Sequence, residues 1–158
     1  MSNERETPMN VNEITHRLTD WYGDGSDGNS PTAAQWKRVL SAAPDQPITL
    51  VNCFKLRQVA NYDGPHPGEP ELTGQQAFGQ YATVSMPAME RAGGQFLHVG
   101  PFAGTFLGPE EDWDVIAIGR YPDRTALVTL FSDPAYRDAY RHRAAACAQQ
   151  RVVVAINA

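Results

Sequence analysis

The sequence has little cysteine, no excess of positive charge and no long apolar run, and each shortage excludes a class of protein. Its two cysteines, Cys53 and Cys147, lie far apart and form no C-x-x-C pattern, so we expect no disulfide framework and predict a cytoplasmic location. The formal net charge is −5, whereas nucleic-acid binding requires a basic face. A membrane span needs a run of about 18 apolar residues, and none occurs. We therefore expect neither nucleic acid nor a membrane as a partner.

Sequence motifs for cofactor, metal or nucleophile chemistry are also absent. The chain has no phosphate-binding loop, no dinucleotide fingerprint and no nucleophile motif. Its four histidines do not form H-x-x-x-H or H-E-x-x-H, the spacings that place two imidazoles on one helix face. The sequence therefore predicts no metal site and no cofactor.

The composition indicates a folded domain with an N-terminal addition. Hydrophobic residues make up 42% of the 158 residues and charged residues 20%, which allows a core. Residues 1–8 are polar and lack the apolar stretch of a secretory signal, so we interpret them as a disordered tail. Residues 9–46 contain two short amphipathic patterns around a Gly-rich turn and predict a helical hairpin extension. Residues 47–158 are predicted to form the main domain.

The main domain alternates between strand and helix patterns. Runs of β-forming residues predict strands at 48–56, 95–107, 113–121 and 151–156. A T-x-x-Q capping box opens a helix at Thr73, and a second helical stretch runs from Asp123 to about Ala148. Residues 57–72 are rich in Pro and Gly and predict a long loop. The order β-α-β-β-α-β predicts an α+β fold of the ferredoxin-like class.

Both faces of the predicted sheet are apolar. In the third strand, Val115 and Ala117 point to one face, and Ile116 and Ile118 point to the other. The two helices of one such unit cover only one face, and a bare apolar face would be a large exposed patch. We therefore predict a homodimer in which this face packs against the same face of a second subunit, related to it by a twofold axis. The N-terminal hairpin is the alternative cover.

Several short segments resemble the DUF1330 family in order and spacing. They are residues 51–57, Tyr62, residues 73–78, Tyr81, Gly93-Gly94, Trp113-Asp114, Tyr121-Pro122, residues 133–136 and His142-Arg143. The resemblance covers residues 48–156, and the helical extension lies beyond the family core. DUF1330 is a domain of unknown function, so the resemblance implies the fold of a dimeric α+β barrel and implies no chemistry.

His98 and Tyr81 are the candidate catalytic residues. Strand alternation places His98 on the face of Phe96 and Phe102, where it is either a hydrogen-bonded structural residue or a general base. The Gly100-Pro101 pair further along predicts a bulge in the same strand. Tyr81 lies on the helix that should cover this face, so its side chain either packs in the core or directs its hydroxyl into a cavity.

Six further residues are candidate ligand-binding groups. They are Asn52, Trp113, Arg120, Tyr136, His142 and Arg143. Asn52 lies in mid-strand, where its amide satisfies backbone groups or binds a ligand carbonyl. Arg120 is either paired or directed at an anion. The helical stripe of Tyr136, Tyr140 and Arg143 either packs with a snorkelling arginine or, with His142, lines the mouth of a pocket.

Two functions remain open at this point. One is a homodimer that binds a small organic molecule in a pocket between sheet and helices, with cofactor-independent catalysis suggested only by analogy of fold. The other is a non-catalytic structural or interaction dimer. We predict that Asn52, Tyr81, His98 and Arg120 converge in one cavity, which would favour the first function. A pocket filled by Phe and Met side chains would favour the second.

Overall fold

A computed structural model of the chain describes residues 8–62 and 71–156. Within these ranges the elements are α1 (Val11–Tyr22), α2 (Ala33–Leu40), β1 (Ile48–Leu56), α3 (Gly74–Arg91), β2 (Gln95–Pro101), β3 (Val115–Tyr121), α4 (Arg124–Ser132), α5 (Pro134–Ala146) and β4 (Cys147–Ile156). Most of the predicted tail and residues 63–70 of the predicted long loop lie outside the described residues. No helix in the described ranges is long and apolar enough to cross a membrane.

The chain divides into two compact units, the first ending at Ser41 and the second beginning at Ala42. The first unit contains α1 and α2. The side chain of Asn10 caps α1, and Thr32 opens α2 with a reciprocal capping box to Gln35. These caps satisfy backbone N–H groups that have no partner within a helix. The domain boundaries proposed from the sequence stay a prediction.

The second unit contains a four-stranded sheet in the order β2-β3-β1-β4, and every neighbouring pair is antiparallel. The chain passes from β1 through α3 to β2, and from β3 through α4 and α5 to β4. This is the βαββαβ arrangement of the ferredoxin-like fold. The predicted α+β class is confirmed.

The strand register assigns side chains to two faces of the sheet, because residues paired in antiparallel strands share a face. Phe54 and Ala117 are buried in one cluster with Ala77 of α3 and Ala146 of α5, and we call this the helix-side face. Ile116 and Ile118 alternate with Ala117 and are half-buried on the opposite face, which we call the open face. The sheet therefore has apolar residues on both faces, as the sequence pattern indicates.

The connection between β2 and β3 differs from the predicted hairpin. β2 ends at Pro101 rather than at residue 107, and β3 begins at Val115 rather than at residue 113. Gly104 and Gly108 have φ angles of 137° and 101°, which side chains other than glycine rarely adopt and which turn the backbone out of the strand. Residues 102–114 therefore form a loop between the two strands.

Candidate functional site

Arg143 lies at the centre of a polar cluster between the sheet and the helices. It is on α5, and only 6% of it is exposed. Its Nε donates to Oε1 of Gln150 at 2.7 Å, its Nη1 donates to the hydroxyl of Tyr81 at 3.2 Å, and its Nη2 donates to Oδ1 of Asn52 at 3.5 Å. One buried cation therefore joins α5 to β4, α3 and β1.

Aromatic rings surround the guanidinium of Arg143. Its Cζ lies 4.8 Å from the ring centroid of Phe54, 5.2 Å from that of Tyr140 and 5.6 Å from that of Tyr81. A desolvated cation–π contact stabilises by about 2 kcal/mol. The helical spacing of Tyr140 and Arg143 places both on the side of α5 that faces α3.

Two further contacts fix the groups that accept hydrogen bonds from the guanidinium. The hydroxyls of Tyr81 and Tyr136 lie 2.8 Å apart. Nδ2 of Asn52 donates to the carbonyl of Ala117 at 3.0 Å, which leaves its Oδ1 for Arg143. The Asn52 amide therefore satisfies a backbone group and contacts the cation at the same time.

The cluster has a positive charge with no negative partner inside it. Burial raises the pKa of Tyr136 and that of Tyr121, so both phenols are neutral at neutral pH. Burial disfavours the charge of Arg143, but electrostatic interactions with Tyr140, Tyr81 and Tyr136 outweigh it and raise the pKa of the guanidinium. The ion pairs found among the described residues involve other cations, so Arg143 has no carboxylate partner there.

The guanidinium also has unused donors. It has five N–H groups, and its three hydrogen bonds leave two without an acceptor in residues 8–62 and 71–156. Each Nη atom makes one hydrogen bond, so one free N–H remains on each. A pair of N–H groups at the end of a guanidinium matches the two oxygens of a carboxylate.

His98 and Arg120 do not join this cluster, so the predicted cavity of four convergent polar residues is wrong. His98 pairs with Ile118, whereas Asn52 pairs with Ala117, the next residue in β3. Neighbouring residues in a strand point to opposite faces. Arg120 shares its parity with Ile118 and lies on the open face too. The structure brings together Asn52 and Tyr81, and it separates both from His98 and Arg120.

A shift of register explains the misplacement of His98. The bulge in β2 lies between Phe96 and His98, not at the predicted Gly100-Pro101. Phe96 pairs with Gly119 on the helix-side face, and the extra residue turns His98 to the open face. The histidine is exposed there, and its ring lies next to Gly100.

Trp113 and His142 take part in other contacts. Trp113 is buried in the β2–β3 loop, and its indole donates to Glu111 at 3.4 Å. Glu111 in turn binds Arg151 of β4, which shares the open face with Cys53. Nδ1 of His142 lies 2.6 Å from the hydroxyl of Tyr62. His142 and Arg143 are thus neighbours in sequence that contact different groups.

Sequence reasoning missed Gln150 and Phe54 as members of the cluster, whereas Tyr140 belongs to the helical stripe predicted with Tyr136 and Arg143. The predicted fourth strand began at residue 151, but β4 begins at Cys147 and its register pairs Gln150 with Phe54. Among the described residues, no group of three or more His, Cys, Asp or Glu side chains could hold a metal ion.

Comparison with known proteins places this chain in a family of unknown function. The sequence model of DUF1330, a domain of unknown function, matches residues 68–157, and the chain belongs to that family. No curated protein matches the chain. The resemblance noted in the sequence is confirmed.

Two crystal structures have a similar fold. The structure of methylated RPA0582 protein is 33% identical with a TM-score of 0.71, and the match covers 82% of this chain and 93% of that one. A structure of RPA0582, a protein of unknown function from Rhodopseudomonas palustris, is 33% identical with a TM-score of 0.69 and coverages of 80% and 93%. These similarities define the fold and assign no reaction.

Proposed function

We propose that this chain is a homodimer that binds a small organic anion between the sheet and helices α3 and α5, with Arg143 as the group that holds the anion. The observation that carries the proposal is the buried guanidinium without a carboxylate partner among the described residues. Asn52, Tyr81 and Gln150 hold its position.

The energetic argument concerns the cost of a buried charge. An ion taken out of water without a counter-ion loses several kcal/mol of solvation free energy. Hydrogen bonds to neutral groups and contacts with aromatic rings offset part of that loss. An anion from solution would offset more of it and would use the two remaining N–H donors. We infer that the charge is kept here to receive an anion.

Assembly as a dimer is supported by the open face. Val51, Ile116 and Ile118 lie on it, and Leu97 in the adjacent bulge of β2 is 51% exposed. Apolar patches of this kind on a sheet are commonly covered by another subunit. A twofold axis would allow the same surface to cover itself.

Catalysis without a cofactor, if the anion is a substrate, would involve Tyr81 rather than His98. Arg143 donates to the Tyr81 oxygen, so the proton of that hydroxyl is directed away from the guanidinium. It can be donated to Tyr136 or to a bound ligand. His98 is on the other face of the sheet and cannot act at this site.

A non-catalytic interaction protein is the alternative, and one observation favours it. Phe106 and Leu107 in the β2–β3 loop are 102% and 87% exposed, which is unusual for large apolar side chains. Such residues are typical of a contact with another protein. Whether a small anion binds at Arg143 distinguishes the two functions.

The test is a titration of the protein with sodium acetate and sodium phosphate at constant ionic strength, followed by ¹⁵N NMR of the arginine Nε–H signals. Loss of one signal in Arg143→Lys assigns Arg143. We expect an anion to shift that signal and to raise the melting temperature, since ligand binding stabilises the folded state. Arg141→Lys is the matched control, because Arg141 is exposed on the same helix. Absence of any Arg143-dependent shift with acetate, with phosphate and with longer carboxylates up to octanoate would refute the proposal.

A further inference from the structure

An apolar surface lies beside the cluster on the helix-side face of β1 and β4. Leu50 pairs with Val154, and Asn52 pairs with Val152, so all four side chains lie on that face. Asn52 contacts Arg143 of α5, so its side chain lies on the helix-side face. We call Leu50, Val152 and Val154 the apolar shelf.

Helices α3 and α5 leave the shelf uncovered. Val152 is 41% exposed and Val154 is 37% exposed, whereas Phe54 on the same face is 2% exposed. Valines on the covered side of a sheet are normally buried, because this is the side on which the core forms. β4 is also an edge strand, at which native proteins usually avoid exposed apolar residues. The shelf is therefore an exposed apolar surface beside the polar cluster, and contact with an apolar ligand would remove it from water.

The shelf ends at the most loosely held part of the guanidinium. Nη2 of Arg143 contacts Oδ1 of Asn52 at 3.5 Å, the longest of its three hydrogen bonds and near the limit for such a bond. Asn52 is the pairing partner of Val152. A cation with spare donors thus stands next to exposed valines.

We infer that the anion is an amphipathic monocarboxylate, with its head group on Arg143 and its apolar body along the shelf. The inference rests on the proposed function and names its ligand class. A carboxylate has one negative charge, which neutralises one guanidinium, whereas a phosphate dianion would leave a buried negative charge uncompensated. Its two oxygens match one N–H on each Nη atom. Its hydrocarbon body would remove the shelf from water.

The experiment measures dissociation constants for acetate, butanoate, hexanoate and octanoate by the arginine NMR titration. Each methylene that becomes buried should tighten binding about fourfold, until the chain exceeds the shelf. Hexanamide, which has the same body without the charge, should bind far more weakly than hexanoate. Equal binding of all four carboxylates, or tighter binding of phosphate than of octanoate, overturns the inference.

Two valine variants test the position of the apolar body. Val152 and Val153 are exposed to similar extents, 41% and 43%, but they point to opposite faces. Val152→Thr should weaken hexanoate binding about fourfold and leave acetate binding unchanged. Val153→Thr should leave both unchanged. Equal effects of the two variants on hexanoate overturn the inference.

The inference and the proposed function fail in distinguishable ways. If acetate binds through Arg143 but chain length and Val152→Thr have no effect, the anion site stands and the shelf is not part of it. If no carboxylate and no phosphate shifts the Arg143 signal, both are wrong. All measurements use the full chain, and far-ultraviolet circular dichroism verifies that each variant is folded.

Discussion

Arg143 on α5 donates a 2.7 Å hydrogen bond from its Nε to the side chain of Gln150 on β4. This is the shortest of its three hydrogen bonds, and it fixes the guanidinium against the edge strand. All three acceptors are neutral groups, so the contact positions the charge without neutralising it. The arrangement allows a direct test of whether Arg143 serves stability or binding.

Replacement of Arg143 by methionine should lower the free energy of unfolding by less than about 2 kcal/mol. The lost hydrogen bonds to Gln150, Tyr81 and Asn52 destabilise the variant, but methionine fills a similar volume, stays in contact with the surrounding rings and removes the cost of a buried charge. Urea denaturation without added carboxylate measures the change. Arg141→Met on the exposed side of α5 is the control and should change stability by less than about 0.5 kcal/mol. A loss above about 2 kcal/mol in Arg143→Met would show that the arginine is structural.

Removal of the Tyr81 hydroxyl should cost more stability than removal of the Tyr136 hydroxyl. The hydroxyl of Tyr81 contacts both Arg143 and Tyr136, whereas in the described part of the chain the hydroxyl of Tyr136 contacts only that of Tyr81. Tyr81→Phe leaves a buried N–H and a buried hydroxyl unsatisfied, at a cost of about 1–3 kcal/mol. Tyr136→Phe leaves Tyr81 in contact with Arg143 and should cost about 1 kcal/mol. Thermal melts measure the stability loss of each variant. A larger loss for Tyr136→Phe than for Tyr81→Phe would contradict this arrangement of hydrogen bonds.

The regular parts of the fold and of the site follow from the sequence. The β-α-β-β-α-β order predicts the ferredoxin-like sheet, because each element has its own hydrophobic period. Asn52, Tyr81, Tyr136 and Arg143 are four of the eight candidate residues, and they meet in one cluster, but the sequence predicted a different set of four to converge. Helical spacing is reliable here because no irregularity interrupts α5 before Arg143.

The irregular parts could not be predicted. Strand alternation from Phe96 places His98 on the wrong face, because a bulge of one residue reverses every assignment beyond it. Nothing in the side chain of Leu97 marks the bulge, whereas Gly100-Pro101 suggests one where none occurs. Gln150 was missed because the end of α5 and the start of β4 are contiguous, with no glycine or proline between them.

We expect the protein to sediment at about twice the 17.4 kDa of one chain at micromolar concentration. Ile118→Asp should produce the monomer, because Ile118 lies on the open face and a carboxylate there cannot be buried against a second copy. Val59→Asp is the matched control, since Val59 is 49% exposed and outside the sheet. A wild-type monomer, or a dimer that tolerates Ile118→Asp, would contradict pairing through this face.

Stability should fall in acid partly through Asp133, which joins α4 to α5. Partial burial raises the pKa of Asp133, but the hydrogen bond from Arg91 and those from the backbone of Ala135 and Tyr136 outweigh it and lower the pKa below the ordinary 3.8. A carboxyl whose pKa is lower in the folded state stabilises the fold above its unfolded-state pKa. That contribution disappears as the pH falls through the folded-state pKa.

Asp133→Asn separates the charge of this residue from its role as a helix cap. Asparagine is also a good N-cap, so the hydrogen bonds to the start of α5 can be kept while the ion pair with Arg91 is lost. The variant should therefore lose stability at pH 7 and show a weaker decline between about pH 5 and pH 2 than the wild type. Because Arg91 is 56% exposed, the loss at pH 7 should stay below about 1 kcal/mol. Urea titrations across this range measure both quantities, and parallel pH profiles for the two proteins would show that Asp133 has the same proton affinity in the folded and unfolded states.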